Sequence, residues 1–182
     1  MYIPARYEET RIGVLHGLIA RHPLGMIVVN GPDGLAADHI PCEIAAPAAD
    51  APFGILRAHV ARANPLWQRD GATVLAAFQS ESVYVSPSES EEKATTGKVV
   101  PTWDYDAVHV HGMLRAIDDP AWLAGLLDRL TARHEASQPV PWTVSDAPPG
   151  YIEKMMAAIV GIEIRIDRIE GKWKRRPGAV KP

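Results

Sequence analysis

Cysteine is almost missing from this sequence. The single residue, Cys42, excludes an intrachain disulfide and any cysteine-rich zinc site. No stretch approaches the ~18 consecutive apolar residues of a membrane span. Residues Met1 to Tyr7 lack the basic head and apolar run of a signal peptide, so a soluble cytoplasmic protein with no membrane partner is expected. Neither sign of charge dominates. The 19 basic and 22 acidic side chains leave a net charge of −3, which argues against an extensive phosphate-neutralising surface for nucleic acid while leaving a local patch open. The Gly-x-Ser-x-Gly, Walker A and Gly-x-Gly-x-x-Gly patterns are all absent, and no catalytic residue stands out. There is no repeat, no low-complexity tract and no long linker, so the 182 residues are expected to form one domain, 1–182.

What is present is 47% apolar composition, seven histidines and 16 prolines. Periodicity predicts a helix over Glu8–Arg21, with Ile12, Leu15, Leu18 and Ile19 on one face. Strands are expected at Met26–Val29, Leu35–Ile44, Gly54–Val60, Thr73–Ser80 and Ser82–Val85, the first two joined by the turn Asn30–Gly34. Ser86–Lys98 reads as a polar loop. A long strand, Asp104–Ile117, places Tyr105, Ala107, His109, His111 and Met113 on one face. Asp118-Asp119-Pro120 is a helix start followed by a leucine stripe from Leu123 to Leu130. Tyr151–Ile159 is expected as a shorter helix stopped by Gly161, and Ile162–Asp167 as a half-buried strand. Antiparallel strands with three helices and no βαβ alternation predict a mainly β (α+β) fold, a barrel with peripheral helices.

Five segments could carry chemistry. His109 and His111 share a strand face, so they could hold a metal with further ligands, or hydrogen-bond within a barrel interior or interface. Around His59, Arg62 and Asn64 a strand ends and a short helix begins at Pro65. That suits an anion, and equally a capped helix with solvated basic side chains. Asp38, His39 and Pro41 are poor strand residues, as in a lined pocket or at an edge. Trp103 and Tyr105 could cover a planar ligand or be core. The basic run from Lys172 to Arg176, ending at Pro177, could hold an anion, touch nucleic acid or be a solvated terminus.

Eight segments together resemble the PaiB-like, FMN-binding negative transcriptional regulators. They are Met1-Tyr2-Ile3-Pro4, Ala37-Asp38-His39-Ile40-Pro41, His59-Val60-Ala61-Arg62-Ala63-Asn64-Pro65, Tyr84-Val85-Ser86-Pro87-Ser88, Val100-Pro101-Thr102-Trp103-Asp104-Tyr105, His109-Val110-His111-Gly112, Ala158–Ile164 and Glu170-Gly171-Lys172-Trp173-Lys174. The resemblance implies a split β-barrel like that of pyridoxamine-phosphate oxidase, a homodimer, and FMN in a cleft between subunits. It implies that Asp38, His39, Ile40 and Pro41 run along the flavin ring and that His59, Val60, Arg62 and Asn64 sit near the ribityl phosphate. Ser86, Lys93, Thr102 and Trp103 would complete the pocket. It implies a flavin-dependent sensor or regulator, with a flavin-dependent oxidoreductase or flavin reductase as the alternative. Direct DNA binding is not expected, because no basic recognition helix is present. Three departures from the family pattern stand out. Glu89 and Ser90 replace two aromatics, Asp104 replaces an asparagine, and Arg175-Arg176-Pro177-Gly178 replaces Leu-Ser-Gln-Asn.

Overall fold

A computed structural model of the chain describes residues 1–176. In chain order its elements are β1 (Glu8–Glu9), α1 (Ile12–Arg21), β2 (Leu24–Gly31), β3 (Gly34–Pro41), β4 (Glu43–Ala45), β5 (Ile55–Ala61), β6 (Thr73–Gln79), β7 (Val83–Val85), α2 (Glu91–Thr95), β8 (Thr102–Ile117), α3 (Pro120–Glu135), α4 (Tyr151–Ala157) and β9 (Ile159–Lys174). The strands pair in the order β3-β2-β6-β8-β9-β5-β4, with β1 added to β9 and β7 to β8, and every ladder is antiparallel.

Alternation along the strands explains the core. Ile27, Val29, Val74, Phe78, Val108, Val110, Leu114, Ile162, Ile164 and Ile166 turn inward, and α1 adds Leu15, Leu18 and Ile19 to the same cluster. The barrel is split. Its path starts at β3 and ends at β4, which follow each other in sequence, and no ladder joins them among the described residues. Pro41, the last residue of β3, has no N–H to donate to one. A single side-chain bond bridges the gap beside it, from Asn64 Nδ2 to Asp38 Oδ1 at 3.0 Å.

Several expectations need correction. The first helix begins at Ile12, four residues later than its apolar spacing suggests. Glu8 and Glu9 instead pair with Lys172 and Gly171, and the Glu9 carboxylate accepts the Arg11 backbone N–H at 2.9 Å, fixing the break. Gly161 stops no helix. It lies inside β9, opposite His59 and Ile117, where a Cβ would stand 2.3 Å from the Trp122 ring. β9 is therefore 16 residues long rather than six. The segment 86–98 is not wholly irregular, since Ser86 Oγ accepts the Ser88 N–H and α2 follows. The Asp119 cap with Pro120 behind it is as expected.

Candidate functional site

Register places the site residues. Pairing aligns His39 with Met26, Met26 with Ala77, Ala77 with His109, and His109 with Glu170. Directly opposed residues share a face, so these five form one row across the outside of the barrel. The face that carries His109 and His111 is thus the outer one, and the interior alternative for them falls away. In this row and its neighbour, Ala77 and Ala107 have almost no side chain. They leave a hollow of about 310 Å³, walled by Leu24, Met26, His39, Gln79 and His109. His39 and His109 stand three strand spacings apart, roughly 14 Å. The face is open: Leu24 is 60% and Met26 36% exposed.

Beside the hollow, Glu170 gathers cations. It accepts from the Met1 ammonium at 3.1 Å and His111 Nε2 at 3.3 Å, and pairs with Arg168 at 2.5 Å. Burial raises the Glu170 carboxyl, but these partners outweigh it and hold the group below its ordinary range. His109 is pushed below the ordinary histidine value, first by burial and then by the nearby Met1 ammonium, which favours its neutral form. Among the described residues no group of three or more His, Cys, Asp or Glu side chains is placed to hold a metal.

The residues expected at a cofactor site fall into three groups. His39 lines the hollow. Next to it on β3, Asp38 is bonded to Asn64, whose Oδ1 also accepts the Leu66 N–H at 2.8 Å. Asn64 caps the five-residue 3-10 turn Pro65–Arg69. Ile40 and Val60 are buried in the core, facing inward; Pro41 is exposed. His59 is half-buried, burial lowers its pKa, and its Nδ1 is enclosed with no hydrogen-bond partner among the described residues. Arg62 is held in place: its guanidinium bonds both Asp118 oxygens at 2.9 and 2.7 Å and the carbonyls of Ala157 and Ile159.

The third group, Ser86, Lys93, Thr102 and Trp103, sits apart from the hollow. β7 pairs with the first three residues of β8, beyond the last β6–β8 pair at Gln79 and Ala107. This two-stranded ribbon carries Tyr84 and Trp103 in edge-to-face contact, 5.5 Å between centroids. Lys93 donates to Ser88 Oγ. Three consecutive residues clasp the ribbon's base. Lys174 Nζ donates to Thr102 Oγ1 and to the Trp103 carbonyl at 2.5 and 2.8 Å. Arg175 binds the buried Asp106, Nε to Oδ1 at 2.7 Å. Arg176 binds Asp104 through its backbone N–H and its Nε. The tail to Arg176 is therefore not a solvated terminus; Pro177 and Gly178 lie outside the described residues. Two of the departures from the family pattern, Asp104 and Arg176, contact each other.

Met26, Ala77, Gln79 and Ala107 were not singled out by sequence reasoning. Alanine on a strand carries no chemical signal, and only the cross-strand register brings the four together.

A protein-family profile, "Putative FMN-binding domain", matches residues 1–168. The chain belongs to this family. An uncharacterized protein of Emericella nidulans is 34% identical over 209 residues, covering 96% of this chain and 83% of that protein. The protease synthase and sporulation protein PAI 2 of Bacillus subtilis is 27% identical over 176 residues, covering 96% and 81%. The resemblance to PaiB-like proteins is thereby borne out. Among solved structures, the FAD- and haem-binding protein of Mycobacterium smegmatis matches with a TM-score of 0.70 at 18% identity, covering 96% of this chain and 77% of that one. That likeness carries the split-barrel fold. The family match supports FMN as the cofactor, and among the described residues no helix is long and apolar enough to cross a membrane.

Proposed function

We propose that this protein is a cytoplasmic homodimer of one domain per chain that holds FMN on the outer face of its barrel and acts as a flavin-dependent sensor or regulator. The observation that carries this reading is the alanine-floored hollow between His39 and His109. At about 310 Å³ it lies at the lower end of small-molecule sites, roughly 300–1,000 Å³. Its apolar floor suits the flat face of a flavin, and His39, Gln79 and His109 offer donors and acceptors to the polar ring edge. The strip from His39 through Asp38 and Asn64 leads toward Arg62, whose exposed pair with Asp118 can exchange one bidentate acceptor for another, a phosphate. Bound FMN would supply reversible electron transfer at its ring. The chain's part is to seat that ring, keep His109 neutral and exclude water from the floor.

Surface area supports the dimer. The chain exposes 10849 Å², whereas a compact monomer of 19.8 kDa exposes about 8,600 Å². The excess, about 2,200 Å², is of the size that each protomer of an obligate dimer buries. The regulatory role rests on similarity to the Bacillus subtilis PAI 2 protein, and an indirect mode fits best. Arg175 and Arg176 already bind Asp106 and Asp104, so the tail offers little charge to a phosphate backbone.

The test is an FMN titration of the purified protein and of Ala77→Trp, which fills the hollow, with dimer mass checked by sedimentation. Saturable quenching of flavin fluorescence by the wild type, at least about tenfold weaker in the variant, is expected. A wild type that shows no saturable binding overturns the reading.

A further inference from the structure

The hollow has a floor and walls but no cover, and the ribbon has apolar rings with nothing to cover. We infer that the β7–β8 ribbon of one protomer closes over the hollow of a second copy of this chain, with Tyr84 and Trp103 as the covering rings. This rests on the dimeric FMN reading above and names which part of the partner completes the site.

The ribbon is built as a presenting element. A lone two-stranded ribbon is marginally stable in water, yet this one exposes Val83, Tyr84 and Trp103 at 53%, 50% and 51%. It is nevertheless firmly mounted, because Lys174, Arg175 and Arg176 each bind its β8 strand. Rings held fixed and left wet are surface intended for contact.

The ribbon's own hollow cannot be its target. β8 runs on from the sheet into the ribbon, so residues 102–104 lie in line with the strand that supplies the floor at Ala107. Trp103 is four residues, about 14 Å, along that strand. A strand in line with its own sheet can stand beside that sheet's face but not over it. A second chain can supply the cover. Because β8 carries both the ribbon and the hollow's Ala107 and His109, a two-fold axis beside it makes both contacts at once, ribbon to hollow and hollow to ribbon. Aromatic faces are also the chemistry that best covers a planar ring.

The experiment pairs two variants in one dimer. Ala77→Trp fills the hollow; Trp103→Ala removes a covering ring from an exposed position. The two chains carry different tags, are co-expressed, and the mixed dimer is isolated. Each variant homodimer is expected to bind FMN at least about tenfold more weakly than wild type. The mixed dimer is expected to regain one full-affinity FMN per two chains, since one of its sites then has an intact hollow and an intact ring from different chains. A mixed dimer with no full-affinity site overturns the inference, as does a Trp103→Ala homodimer that binds like wild type. A wild type that binds FMN as a dimer while either of these occurs leaves the functional reading standing; a monomeric wild type overturns both. A second measurement is independent of FMN. Trp103→Cys on one chain and Gln79→Cys on the other should be joined by a short bismaleimide. Cys42 does not interfere, because it is buried and its thiol is pushed up to about 12. Failure of that pair to join within an intact mixed dimer also overturns the inference.

Discussion

Replacing Arg175 by alanine should unfold the protein at a distinctly lower temperature. The Asp106 side chain is 2% exposed, and its residue is fixed by two bonds with Ser80, one through each backbone group. Its carboxylate therefore cannot turn to water. Two guanidinium bonds from Arg175 compensate the buried charge. Removing one partner of such a pair typically costs about 3–5 kcal/mol, because the other charge stays buried. For a chain of this length each kcal/mol lowers Tm by roughly 2–4 °C, so a fall of roughly 6–20 °C is expected in a calorimetric scan at pH 7. Arg175→Lys should lose less, keeping the charge but not the fork. Adding Asp106→Val to Arg175→Ala should recover most of the loss, since a buried pair can be replaced by apolar side chains at little net cost. Raising the salt to 1 M should leave the loss largely intact, because buried pairs are poorly screened. A loss below about 1 kcal/mol, or a double variant less stable than Arg175→Ala alone, would refute the reasoning.

Gly112→Ala should cost at least about 3 kcal/mol in urea unfolding. Register slips between His111 and Gly112, and the new Cβ would stand 2.1 Å from the Arg165 carbonyl oxygen; a wild-type midpoint would mean that the bulge is pliable. Arg62→Ala should weaken FMN binding on the order of tenfold, whereas Asp118→Asn, which loosens the competing acceptor, should leave affinity equal or tighter; a weaker Asp118→Asn would remove Arg62 as the phosphate ligand. The Glu9 carboxyl is lowered from 4.5 to about 2, chiefly by the Arg11 side-chain hydrogen bond. The folded chain thus holds it ionised where the unfolded chain does not. That adds stability which is fully present above pH 4.5 and lost as the pH falls toward 2. Stability measured across that window should fall less steeply for Glu9→Gln than for wild type, and parallel curves would contradict the pairing.

Much of the barrel could be read from alternation and turns. Asn30–Gly34 became the β2–β3 hairpin, Asp119 became a cap, and β8 kept its inside and outside faces over 16 residues. β9 was harder. Its glycines at 161 and 171 make room for the Trp122 ring and the Leu15 side chain, which mimics a helix stop and a chain end when only local pattern is seen. At the site, single residues were legible but their grouping was not. Arg62 has the chemistry of an anion ligand, yet its acceptor is Asp118, 56 residues away. The hollow depends on two alanines brought together by register, which local sequence does not encode. Several family segments turn out to hold the fold: Gly112 permits the bulge, and Gly171 admits α1.

The pairing of β1 with β9 has a consequence for how the chain is made. Leu15 packs against position 171, and residues 8–9 form a ladder with residues 171–172. On a ribosome adding 5–20 residues per second, β9 follows α1 by roughly 10–30 seconds. Through that interval the leucine stripe of α1 and the edges of β5 and β8 that await β9 have no native partner. The nascent barrel is a waiting intermediate, exposed to proteases and to neighbouring chains, and its last strand to be synthesised is the one that ends the wait.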